Sequence, residues 1–169
     1  MNKPNVGKSR LTKEKIQPLM ARLLELLREI LASVHEERLM LDRDVIQPLG
    51  EILDRRQTLF EAFEVCYRQF ADFVDLFSTH APKVQTLAEC LERLQNHLEA
   101  EDMELLLLIE QLSCISKEMQ GETSSLVHLL ERKSSSLATH GLVLQKIAPQ
   151  PVRVAIGLAE PDEEEAEQL

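Results

Sequence analysis

Residues 16–41 read IQPLMARLLELLREILASVHEERLML. Ile16, Met20, Leu23, Leu27, Ile30, Val34 and Leu41 return at alternating steps of three and four, and Glu37 fills the one gap in the series. An α-helix turns once every 3.6 residues, so this spacing lines the apolar side chains along one side. Leu24 and Leu31 flank the stripe and widen it. A wide stripe suits a helix with more than one neighbour. The stretch therefore predicts a long helix inside a bundle.

Two further stripes follow. One runs Val45, Leu49, Ile52, Arg56, Leu59, Phe63, Cys66, Phe70, Phe73, Phe77. The other runs Val84, Leu87, Leu91, Leu94, Leu98, Glu101, Leu105, Leu108, Leu112, Ile115, Met119. Helix signals bound them. Asp44 can cap a helix start, with Gln47 three residues later and Pro48 in the first turn. Ser78 or Thr79 can cap the next helix, with Pro82 in its first turn. Gly121 interrupts the third stripe. These signals predict helices at about 15–42, 44–78 and 81–120, joined by short turns and hence antiparallel. The fold class is all-α: an antiparallel bundle of three long helices with a shorter, weaker C-terminal helix. Each helix has one charge in its seam: Glu37, Arg56 and Glu101. Centring the second turn near residue 80 brings Arg56 to Glu101 and leaves Glu37 apart.

The ends differ from the middle. Residues 1–14 form a basic tail. Residues 122–147 carry a looser amphipathic pattern through Leu126, Leu129, Leu130, Leu137, Leu142 and Leu144, weakened by three serines at 134–136 and by Gly141. Residues 148–169 hold Pro149, Pro151, the apolar run Val152–Ala159 and an acidic end. Both tails read as disordered.

Composition narrows the function. The net charge is −10, which repels phosphate backbones and makes nucleic acid a poor partner. No stretch approaches the ~20 apolar residues of a membrane span, and no signal peptide is visible. Three well-separated cysteines, Cys66, Cys90 and Cys114, match neither a disulfide framework nor a zinc pattern. They read as reduced thiols in a cytoplasmic protein.

Catalytic and cofactor motifs are weak. Residues 4–10 end like a phosphate-binding loop, with Gly7-Lys8-Ser9, but the first glycine of that motif would fall at Asn2 and no sheet pattern follows. No histidine has a glutamate three residues before it, as a bundle di-metal site wants. His97 and Glu101 form a lone pair at a spacing of four. No serine or cysteine sits in a nucleophile motif. No enzyme activity, cofactor or metal is expected. All five phenylalanines and the one tyrosine lie between Phe60 and Phe77 and read as core. Leu105–Ile109 is apolar on every side, fitting either a deep core segment or a docking patch.

Glu37, Leu41, Asp44, Leu49, Leu53, Arg56, Leu59 and Phe60 form a pattern that resembles the FlgN family of flagellar type III export chaperones. The likeness covers residues 35–65 in motif and 15–120 in layout; the FliT chaperones look similar at this level. In that family a cargo-binding helix follows the long helices. It corresponds here to 122–147, although the family's tail pattern is not matched there. The resemblance implies a cytoplasmic chaperone that keeps hook-associated proteins soluble and delivers them to the export gate. Its mechanism would pack Leu126, Leu129, Leu130, Leu137, Leu142 and Leu144 against a partner helix. The same seams also fit a structural subunit of a coiled-coil scaffold or tethering complex. A lipid-surface helix fits less well, since such helices carry Lys and Arg on the polar face. The sequence leaves the oligomeric state open.

Overall fold

The structure is a computed structural model. It describes residues 6–76 and 83–147, with side chains described for 13–76 and 83–133. Four helices follow in order: α1 Val6–Asp42, α2 Leu49–Asp75, α3 Leu87–Gln95 and α4 Met103–Ile147. Among the described residues there is no strand. The fold is all-α, as the seams predict.

Helix α1 is the hub. α2 and α4 both pack along it and barely touch each other. Its stripe is wide because it serves two neighbours. Ile16, Met20, Leu23, Leu24, Leu26, Leu27, Ile30, Leu31 and Val34 are all buried. α2 returns antiparallel: the Cys66 thiol donates to the carbonyl of Leu19 near one end, and Arg55 pairs with Glu36 near the other. α4 runs parallel to α1. Lys13 bonds Asp102 at 2.7 Å, Arg38 bonds Glu122 at 2.5 Å, and Lys133 bonds Asp44 at 2.7 Å.

The boundaries differ from the predicted ones in instructive ways. α1 begins at Val6, not near 15, so much of the basic segment is helical and Pro18 lies inside the helix. The Lys13–Asp102 tie holds the turn before Pro18 against the start of α4. Asp44 does not cap α2. It ends α1, in the left-handed region at φ 56°. There the N–H of Val45 reaches the carbonyl of Met40, and that of Asp44 reaches Leu41. This is a Schellman closure, and aspartate is among the few non-glycine residues that tolerate its left-handed position. The residues from Arg43 to Pro48 form the turn, and Val45 and Ile46 are left exposed.

The third predicted helix is two helices. Thr86 caps α3, accepting from the N–H of Glu89, while the Glu89 carboxylate accepts from the N–H of Gln85. The chain then turns through 96–102. Asp102 accepts from the N–H of Glu99 just before α4 starts. Ser78, Thr79 and Pro82 lie outside the described residues. Gly121 does not end a helix; α4 passes through it without a break. A Cβ at Gly121 would meet nothing within 4 Å, so no close packing demands glycine there.

Candidate partner-binding surface

The hairpin of α1 and α2 is closed by a buried polar cluster. Arg56 is 4% exposed and Glu37 2% exposed. They meet at 2.5 Å. Arg56 also donates to the hydroxyl and the carbonyl of Ser33, each at 2.7 Å. The expected Arg56–Glu101 pair does not form: Glu101 is exposed in the turn between α3 and α4. The expectation failed on turn length. A six-residue turn centred between Val45 and Ile46 brings Glu37 level with about residue 54, within one turn of Arg56. A buried ion pair is costly to break and adds little net stability, but it pins register.

These contacts gather the motif residues between 35 and 65. Glu37 and Arg56 form the pin, Asp44 closes α1, and Leu41, Leu49, Leu53 and Phe60 are buried around the hairpin. Leu59 packs partly buried against the same core. The pattern therefore encodes one helical hairpin.

Leu126, Leu129 and Leu130, expected to meet a partner, are 3%, 7% and 8% exposed. They belong to the core that α1 contributes to. Polar ties bracket them. Glu122 pairs with Arg38, with His35 at 3.4 Å. Lys133 donates to the carbonyl of Leu41 and to Asp44. That ammonium sits at the negative end of the α1 dipole. Leu137, Leu142 and Leu144 belong to α4 but lie beyond the described side chains. α4 runs on from Lys133 to Ile147, about 20 Å past the level of Asp44 at 1.5 Å per residue.

Two further features are open to solvent. Leu105 and Ile109 are buried, while Leu107 is 54% exposed, so the apolar run is core on one side and surface on the other. Between α1 and α4 lies a trough of about 380 Å³, floored by Leu24, Leu31 and Ile115 and rimmed by Arg28, His35, Cys114 and Glu118.

Burial governs the shifted thiol and phenol groups among the described residues. Burial pushes the Cys66 thiol up. Burial also pushes Cys90 up to about 12, and its neighbour Tyr67 rises for the same reason. Protonated thiols of this kind are poor nucleophiles. Lys13 holds the Asp102 carboxyl below its usual range. Among the described residues no cluster of three or more His, Cys, Asp or Glu side chains could hold a metal. No described helix is long and apolar enough to cross a membrane. No family model matches the chain, and no curated protein or solved structure matches it.

Proposed function

We propose that the chain is a protein-binding chaperone that keeps hook-associated flagellar export substrates soluble and delivers them to the type III export apparatus. The observation that carries this reading is the run of α4 past the end of the α1–α2 hairpin. A helix that outlasts its own bundle offers a partner helix a template. In this sequence that stretch has leucines at 137, 142 and 144. The hairpin formed by the shared pattern supports the same reading. Leu126, Leu129 and Leu130 are already packed, so a partner reaches them only when α4 leaves α1. The distal leucines are the first contacts.

The test uses tagged full-length chain purified from its native cell. We expect a hook-associated protein in a defined complex. Ending the chain after Lys133 should abolish that complex and leave the bundle folded, since Leu126, Leu129 and Leu130 are retained. Full binding by the shortened chain would refute the distal site. Recovery of a fixed set of coiled-coil proteins instead would favour the scaffold reading, which the exposed Leu107 and Val127 on α4 also support.

A further inference from the structure

We propose that α4 is jointed at Gly121–Ser125, and that the part beyond the joint is a strap that swings off α1 and uncovers Leu126, Leu129 and Leu130.

The residues at the joint are poor ones for a helix. Gly121, Thr123, Ser124 and Ser125 fall within one short run. All four form helix less readily than alanine, glycine least of all. α4 nonetheless passes through them. The Ser125 hydroxyl donates to the carbonyl of Gly121 at 2.9 Å, a bond back along the helix that favours bending. Sharp kinks in helices concentrate where glycine and serine meet. Packing gives no reason for the glycine. It is exposed, and a Cβ there would meet nothing within 4 Å. An alanine would fit and would strengthen the helix. The glycine weakens α4 at a place where nothing around it requires a glycine.

The two sides of the joint are held differently. Before it, Leu105, Ile109, Leu112, Ile115 and Met119 are buried, and the Lys13–Asp102 and Gln17–Glu104 ties fix the start of α4 to α1. After it, the buried leucines are Leu126, Leu129 and Leu130. Glu122 pairs with Arg38 at one end of these leucines, and Lys133 pairs with Asp44 and the Leu41 carbonyl at the other.

Distance from the joint gives these two ties different parts. Glu122 adjoins Gly121. Lys133 lies about 18 Å further along the helix at 1.5 Å per residue. A kink of about 20° away from α1 shifts the backbone at Lys133 by roughly 6 Å and that at Glu122 by under about 1 Å. The 2.7 Å contact between Lys133 and Asp44 does not span such a gap. Glu122 is therefore the pivot and Lys133 the latch. The Asp44 side chain is 80% exposed, so water and salt screen the latch and it opens readily. The strap is held conditionally, while the start of α4 stays in place. The device is a property of the folded chain alone, so its test needs no partner, and its failure leaves the proposed function standing.

Thiol labelling of the full chain tests it. In a Cys114→Ser background, Leu129→Cys puts a thiol under the strap and Ile109→Cys puts one under the fixed part. The two positions are matched in burial, at 7% and 5% exposed, and Cys66 and Cys90 are buried. A water-soluble aromatic disulfide reaches each introduced thiol only when its helix opens. Position 129 should label about tenfold or more faster than position 109, with little dependence on urea. Adding Gly121→Ala should slow labelling at 129 about fivefold. Adding Lys133→Met, which keeps the aliphatic stem and removes the charge, should speed it about threefold. Equal rates at 129 and 109 would mean that α4 leaves as one rod, which overturns the proposal. A Gly121→Ala chain that labels at the old rate also overturns it, because the opening then starts elsewhere along the helix. A Lys133→Met chain that labels no faster overturns the latch. Hydrogen exchange of the wild-type chain supplies a check free of substitutions: the amides of 126–133 should open while those of 105–119 stay protected, and joint opening of both sets would contradict the strap.

Discussion

The two faces of α1 are held by different chemistry. Its contact with α2 holds a buried ion pair, Glu37 of α1 with Arg56 of α2, and two fully buried phenylalanines of α2, Phe63 and Phe70. Against α4 it presents leucines between polar ties on the rim: Arg38 to Glu122 and Lys133 to Asp44, with Arg38 and Asp44 well exposed. A buried pair tolerates one alignment, because any slip strands a charge in the core. Rim pairs are screened, weak and easily remade. Connectivity reinforces the contrast. α2 follows α1 through a six-residue turn with a Schellman closure, while α4 follows only after α2 and α3. One face is aligned by a buried pair and the other by pairs on the rim. That asymmetry is what a protein needs if it is to keep its shape while one helix changes partners.

Substitutions should separate the two faces. The largest effect belongs to the hairpin. Phe63 and Phe70 are both 0% exposed, and Phe70→Ala should cost about 4 kcal/mol, through lost burial and the cavity left behind. Urea unfolding measures it, and a cost near 1 kcal/mol would show that the aromatic core is looser than its burial implies. Next comes the pin. Arg56→Leu should cost about 3 kcal/mol by leaving the Glu37 carboxylate buried without its cation. Adding Glu37→Leu should recover much of that loss. Additive losses in the double variant would mean that the two side chains stabilise the fold separately.

The conditional face should respond less. Leu129→Ala should cost about 2 kcal/mol, at the low end for a buried leucine, because the helix can relax toward solvent. A loss as large as that at Phe70 would erase the contrast between the faces. The smallest effect is at the far end of the same face. Lys13 holds the Asp102 carboxyl below the ordinary aspartate value of 3.8. A depressed folded value means that the pair contributes at neutral pH and loses its contribution as pH falls below about 4. Lys13→Ala should therefore cost under about 1 kcal/mol at pH 7 and nothing measurable at the acid end. A cost that grows on acidification would contradict the pairing.

Much of this was readable in the residues, and each miss has a physical cause. The seams gave helix and most of the core, because burial follows the three-and-four spacing, but Val45 at the head of the second seam is exposed in the turn. Ile16 through Val34 are buried as the stripe predicts. The spacing hid the break between α3 and α4, since Leu94, Leu98, Glu101 and Leu105 keep step across it. Leu98 stays partly buried in the turn, so the pattern survives where the helix does not. The signals against one long helix were Thr86 with Glu89 three residues on, Asn96, and Asp102 before Met103. All are caps or turn formers. The partner of Arg56 was missed because pairing across helices depends on turn length, and Asp44 reads equally well as a start or an end. The trough between α1 and α4 could not be found from sequence at all, because it needs the parallel register of α1 and α4, which only the packed chain supplies.

Native-state hydrogen exchange tests the difference between the two faces most directly. The amides of α1 from Ile16 to Leu41 and of α2 from Ile52 to Val74 should exchange only through global unfolding, with the same opening free energy and the same denaturant dependence. The amides of α4 after Gly121 should open at several kcal/mol less, with a smaller dependence, while the hairpin stays closed. Equal protection of α4 and the hairpin, lost together in one transition, would contradict a fixed hairpin carrying a conditional helix.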